Sequence, residues 1–239
     1  MKYRLLSFCM AVLLLISMIS VPRIEAANST ETFKDSADTK IVKLLEALGL
    51  MEIDSETGFF WDEMPVKRSE LAKIICKMFN ISETKDASPH FTDVSDYDRA
   101  YIETAIRNGY MSGYDNEKFG PDDYVTNIQL IKTFVTALGG DAAAQSQGGY
   151  PGGYITIGNM LGLLKGKAVA NENISRRIDV ANIIYTALHA DVLEIAGSVG
   201  NNINYKTVEG YTFLTEKRNI YRVKGIISQN EATSLNRDN

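Results

Sequence analysis

The sequence predicts a mainly α fold: three helix–loop–helix units packed as one domain, then a short C-terminal segment of mixed helix and strand character. Three observations carry this. Apolar stripes at i, i+3, i+4 and i+7 recur in pairs along the chain. A glycine ends the first helix of each pair, at Gly49, Gly109 and Gly162, with spacings of 60 and 53 residues. The second helices begin near Arg68, Asn127 and Arg177, with spacings of 59 and 50. Two landmarks with nearly one period mark a repeated unit. One helix pair has little core of its own, because about 1.5–3 kcal/mol per buried Leu or Ile hardly offsets chain ordering. The three units are therefore expected to fold together.

The chain opens with a leader. Lys2 and Arg4 precede an apolar run from Leu5 to Val21, and small residues stand at Ala26 and Ala27. A charged, an apolar and a small-residue region in that order read as a signal peptide over residues 1–26, with a retained membrane anchor as the alternative. The first unit, 35–82, begins with Ile41, Leu44, Leu45 and Leu48 on one helical face, which Asp38 or Thr39 can cap and Gly49 can stop. After a loop with Gly58, Phe59, Phe60 and Pro65, its second helix carries Leu71, Ile74, Ile75 and Met78. The second unit, 90–140, has Ile102, Ala105 and Ile106 in its first helix and Leu130, Phe134, Ala137 and Leu138 in its second. Asp93 is expected to cap the first, and Thr126 with Gln129 forms a capping-box pair on the second. A Gly-, Ala- and Gln-rich stretch from Gly139 to Gly149 reads as a linker. The third unit, 150–193, has Ile155, Ile157, Met160 and Leu161, then a turn from Gly162 to Gly166, then Val180, Ile183, Ile184, Ala187 and Leu188.

Residues 196–239 lie outside the repeats. Gly197 to Asn204 reads as a polar linker, Tyr211 to Lys217 as a short helix, and Ile220 to Ser228 and Glu231 to Leu235 as strands. An isolated strand pair has little stability of its own. This segment is expected to be a domain remnant, or a tail that pairs with something else.

Composition narrows the function. The 239 residues hold 25 Lys and Arg against 30 Asp and Glu, a net charge of −5. Without residues 1–26, which include Lys2, Arg4, Arg23 and Glu25, 22 basic and 29 acidic residues remain, a net of −7. That balance argues against non-specific binding to nucleic acid or an anionic membrane. With two cysteines and two histidines, a disulfide scaffold or four-cysteine zinc site is excluded, and no cofactor or metal is expected. Cys76 falls in a helical stripe and is expected to be buried. Asp115-Asn-Glu117 lacks the ligand spacing of a calcium loop. His90 and His189 have no Ser or Cys partner nearby, and the adjacent Asp122 and Asp123 read as solvated, so no enzyme is expected.

The segment FTDVSDYDRAYIETAIRNGYMSGYDNEKFGPDDYVT, with Phe91, Asp93 and Val94 as its first box and Gly109, Gly113, Tyr114, Phe119 and Pro121 through its loop, resembles an S-layer homology (SLH) repeat. The third unit, with GGYPGGYITIGNMLGLLKG and RRIDVANIIYTAL, is similar to the third repeat of SLH triplets, and the first keeps Arg68-Ser-Glu70. The resemblance covers about residues 35–193. It implies a pseudo-threefold helical assembly whose inter-repeat grooves bind secondary cell wall polysaccharide, typically pyruvylated, and so anchor a protein to the Gram-positive wall. The alternative is a surface interaction module whose grooves no longer bind polymer and which pairs, through its C-terminal segment, with a surface-layer or other surface protein.

On that resemblance, Arg68 and Arg177 with Glu70 and Asp179 two residues on match the family's ligand positions. An Arg fork at a helix N-terminus suits a carboxylate-bearing sugar. Asn127 stands at the matching place in the second unit and supplies no charge, so one groove is expected to be weak or altered. Lys67 and Arg176 can add to the field. The glycines Gly49, Gly109 and Gly162 would allow close approach of a sugar to the backbone. Tyr97, Tyr101, Tyr114 and Tyr124 are candidates for stacking or for rim packing.

Overall fold

A computed structural model describes residues 38–81, 91–165, 171–199 and 202–218. The signal peptide expected over residues 1–26, His90, Gly166 and the strands expected at Ile220–Ser228 and Glu231–Leu235 lie outside the described residues. The described chain is mainly helical. The first unit contributes α1 (Thr39–Ala47) and α2 (Arg68–Met78), and the second α3 (Asp96–Arg107) and α4 (Asn127–Ala137). The short α5 (Asp141–Ser146) is followed by α6 (Gly152–Met160) and α7 (Arg177–Leu188) of the third unit. A two-stranded antiparallel hairpin, β1 (Asp191–Val199) and β2 (Asn202–Thr212), leads into α8 (Phe213–Arg218). No helix among the described residues is long and apolar enough to cross a membrane.

The stripes seen in sequence become one continuous core. Leu45, Leu71, Ile75, Ile102, Phe119, Phe134, Leu163 and Ile184 are all buried in it. Cys76 is buried as well, its thiol 3.4 Å from the Tyr101 carbonyl. Gly49, Gly109 and Gly162 have φ of +66°, +74° and +74°, the left-handed conformation that closes a helix and that residues with a Cβ resist. Gly153 has a packing reason instead. A Cβ there would lie 2.0 Å from the Ala144 carbonyl oxygen, so α5 and α6 can approach only at a glycine.

Three sequence expectations differ from the structure. The Gly139–Gly149 stretch holds α5, anchored by Tyr154, whose hydroxyl meets Asp141 and accepts from Gln145 Nε2 at 3.0 Å. Within the stretch expected to be a linker, Gly197–Val199 belong to β1 and Asn202–Asn204 to β2. Asp93 does not cap α3. Ser95 does, its Oγ accepting from the Asp98 amide at 3.2 Å. The Asp93 carboxylate instead accepts from the amides of Phe119 (3.0 and 3.2 Å) and Gly120 (2.8 Å), two donors across the unit where a cap would supply one. The Thr126–Gln129 capping box forms as expected.

The hairpin does not stand alone. Phe213 at its base is buried edge-on to Phe79 with ring centroids 4.6 Å apart, and its amide donates to the Ala190 carbonyl.

What positions the site is a closed cycle of backbone hydrogen bonds among the three segments that lead into α2, α4 and α7. Val66 N donates to Ser175 O (3.2 Å), Ser175 N to Val125 O (2.7 Å), and Val125 N to Val66 O (3.0 Å). Val66, Val125 and Ser175 are buried there. The second helices of all three units therefore start from one point.

Candidate functional site: cavities between the units

Each second helix reaches into the loop of another unit. Arg68 N and Ser69 N donate to Asp123 O and Pro121 O. Asn127 N and Ile128 N donate to Asn173 O and Asn171 O, and Arg177 N and Ile178 N to Met64 O and Asp62 O. These first-turn amides were expected to offer backbone donors to an anion. They are instead consumed in joining the units, because a helix start buried against a loop must satisfy its donors there. Glu70, Gln129 and Asp179 each accept from the amide three residues back, at 2.8, 3.2 and 3.1 Å, so the two acidic residues of the expected site close capping turns.

The two arginines make matched contacts. Arg68 Nε donates to Phe119 O (3.1 Å) and Nη2 to Ser112 O (2.7 Å), with the guanidinium 4.5 Å from the Phe119 ring centroid. Arg177 Nε donates to Phe60 O (2.8 Å) and Nη2 to Glu52 O (2.7 Å), 4.7 Å from the Phe60 ring. At the third junction Asn127 closes a neutral network. Its Nδ2 donates to Asn171 Oδ1, and its Oδ1 accepts from Ser175 Oγ, both at 2.8 Å.

The surroundings of the two arginines differ in charge. Arg68 is only 7% exposed and opens onto a cavity of about 290 Å³. Tyr110, Tyr114 and Tyr150 wall this cavity, Lys132 of α4 adds a second cation, and none of the described residues lining it is an Asp or Glu. No carboxylate among the described residues lies within 4 Å of the Arg68 guanidinium or of the Lys132 ammonium. Burial pushes the Arg68 pKa down, partly offset by Tyr114, Asp123 and Asp93, as expected for a cation desolvated without a contacting counter-ion. Burial raises the Tyr114 pKa, and so does the hydrogen bond its hydroxyl makes to Asp123 (2.9 Å).

Arg177 lies instead on an open groove of about 810 Å³ whose lining includes Glu52, Asp54, Glu56 and Glu70 with Lys67 and Trp61. Its Nη1 is 4.0 Å from Glu70. Lys67 and Arg176 do not add free charge. Lys67 pairs with Asp122 at 2.7 Å, a hydrogen bond that raises its pKa. Arg176 is held by Asp179 (2.8 Å) and Glu63 (2.9 Å), which raise its pKa in that order. The Lys67–Asp122 and Arg176–Glu63 pairs latch one unit to another, and the Arg176–Asp179 pair closes a helix start.

Of the other sequence candidates, Gly162 lines a third cavity beside Lys165 and His189, whereas Gly49 and Gly109 line none of those described here. Asp93 supports the loop that carries Phe119. Tyr97 is exposed beside Lys73, and Tyr101 packs partly buried against the core. Lys132, Tyr110 and Tyr150 were not singled out from sequence, since a lysine or tyrosine on a helix or loop has no spacing that signals convergence. Among the described residues no group of three or more His, Cys, Asp or Glu is placed to hold a metal ion.

Comparison with known proteins shows what the chain is similar to. Residues 90–130 match the model of the S-layer homology domain. The chain is 26% identical over 175 residues to the "Middle cell wall protein" of Brevibacillus brevis, covering 71% of this chain and 16% of that protein. It is 26% identical over 181 residues to the "Surface layer protein" of Brevibacillus choshinensis, covering 72% of this chain and 16% of that one. The chain thus spans only 16% of the length of each relative.

Proposed function

We propose that this chain, a cell-surface, wall-associated protein that carries an S-layer homology domain, is a non-covalent anchor that binds an anionic secondary polysaccharide of the Gram-positive wall. In this reading the three units are three SLH repeats in a pseudo-threefold assembly, and the polymer lies in the grooves between them. One observation carries it: the buried Arg68 guanidinium and Lys132 face one aromatic-walled cavity with no carboxylate among the described residues that line it. A buried guanidinium with no carboxylate in contact, and a part-buried lysine on the same cavity, favour an anion. The size suits a charged substituent on one sugar, such as a pyruvate ketal, and the tyrosines supply stacking faces for the ring.

The test is co-sedimentation of the chain with purified sacculi, before and after chemical stripping of the secondary polymer. Binding that disappears on stripping supports the anchor. No binding to intact sacculi overturns it. A second reading, a surface interaction module with inactive grooves, draws on the Asn127 network, which fills its junction with neutral side-chain contacts. It predicts no polymer-dependent sedimentation.

A further inference from the structure

Trp61 is the sole tryptophan of the chain, and it sits where the backbone least favours it. Its φ is +61°, at the place that Gly120 (φ +71°) occupies in the second unit, each directly after a fully buried phenylalanine. A bulky residue in the left-handed region is strained. The ring is nevertheless 41% exposed. Its Nε1 is 3.4 Å from Asp54 Oδ2, and its ring stands edge-on to Phe59 at 5.0 Å. The backbone amides of Thr57 and Glu56, in that order, hold the Asp54 carboxyl below its usual range and so keep it charged as an anchor for the indole. The fold accepts a strained residue and fixes its ring in the lining of the 810 Å³ groove.

The charge of that groove is opposite in sense to that of the Arg68 cavity. Four carboxylates line it against Lys67 and Arg177, and the Arg177 fork is spent on Phe60 O and Glu52 O. An anion entering it meets net negative charge. A neutral sugar meets an indole that can cover its apolar C–H face, and carboxylates, Glu56 and Glu70, that can accept its hydroxyls. The two sites flank the first turn of α2, with Lys67 and Glu70 on the groove and Arg68 and Leu71 on the cavity.

We infer that the two sites divide one polymer between them: a carboxylate-bearing residue at Arg68 and Lys132, and a neutral pyranose stacked on Trp61. This rests on the polysaccharide-anchor reading above and adds the ligand class of the second groove.

Because Trp61 is the only tryptophan, its emission reports this groove alone. The full chain is titrated with oligosaccharides released from sacculi, once with carboxylates intact and once with them reduced to alcohols. Both forms should shift Trp61 emission, and the reduced form should still do so when Arg68 is replaced by Gln. Trp61→Gly relieves the positive φ, so the melting temperature should hold or rise. By titration calorimetry the same variant should bind the reduced fragments about tenfold more weakly. Emission unmoved by the reduced fragments, in a chain that still sediments with sacculi, overturns this inference alone. So does a Trp61→Gly variant that binds them as well as the parent. Failure to sediment with sacculi at all overturns the anchor reading and this one with it.

Discussion

Replacing Lys132 by Gln separates binding from folding. Lys132 lies at the middle of α4, and its ammonium makes no hydrogen bond or ion pair with any described residue. The ammonium sits over the Tyr154 ring, 5.9 Å from its centroid. Losing a cation–π contact of that kind costs about 0.5–1 kcal/mol, roughly 2–4 °C in melting temperature at most for a chain of this size. The effect on ligand binding is larger. A charge-assisted hydrogen bond to an anion is worth about 1.5–3 kcal/mol, so sacculus affinity should fall roughly 10- to 100-fold. The salt dependence should flatten too, because one fewer cation is screened over the Debye length of about 10 Å at 0.1 M. The assay is quantitative sedimentation at two ionic strengths, paired with calorimetric melting. A variant that melts normally and binds sacculi with unchanged affinity and salt dependence would refute the assignment of the polymer's charge to this cavity. Arg68 cannot serve so cleanly, since its two carbonyl contacts also hold the second unit's loop.

The other predictions concern stability. Gly153→Ala forces a Cβ against the Ala144 carbonyl and should cost at least about 1–3 kcal/mol, read as a lowered urea midpoint. Thr126→Ala removes the side chain that accepts from the Gln129 amide at the start of α4, a loss of about 1 kcal/mol by the same measurement. Arg177→Lys leaves the Phe60 or the Glu52 carbonyl without its donor, because an ammonium cannot span both as the guanidinium does; about 1.5–3 kcal/mol should be lost. For Asp93, burial pushes the pKa up, but the amides of Phe119 and Gly120 outweigh it and hold the carboxyl below its usual range. The unfolded value is about 3.9, so this carboxylate contributes fully above that pH, and the contribution fades as pH falls through the lower folded value. Asp93→Asn should therefore be less stable at neutral pH and lose less stability on acidification below about pH 4, measured by urea unfolding across that window.

Much of the helical scaffold was legible because its signals are local. The Leu71, Ile74, Ile75 and Met78 stripe marks α2, and Gly49, Gly109 and Gly162 mark helix ends that need positive φ. What escaped is long-range or short. Asp93 looked like a cap because Ser95 and a helix follow it, yet its partners lie 26 and 27 residues on. The six residues of α5 are too few for a helical period to show. Within the polar run from Gly197 to Asn204, Gly197–Val199 and Asn202–Asn204 are strand, but their Gly, Ser and Asn content resembles that of a linker. At the site, Arg68 and Arg177 were visible as helix-start residues, but the loops they reach into, and the carboxylates that distinguish the two grooves, are set by packing between units.

That packing means that no single unit builds the Arg68 cavity. Residues 90–130, the segment that matches the S-layer homology model, supply Tyr110, Ser112, Tyr114 and Gln129 to the Arg68 cavity. They supply neither of its cations, for Arg68 comes from the preceding unit and Lys132 from just beyond the matched segment, while Tyr150 comes from the stretch leading to α6. The same exchange recurs at Arg177, which completes the loop of the first unit from the third. The Val66, Val125 and Ser175 cycle holds all three helix starts in one ring, so loosening any one junction shifts the others. Substitutions far apart in sequence, such as Arg68 with Tyr114 or Arg177 with Phe60, should therefore be energetically coupled, whereas pairs within one unit on opposite helix faces should add.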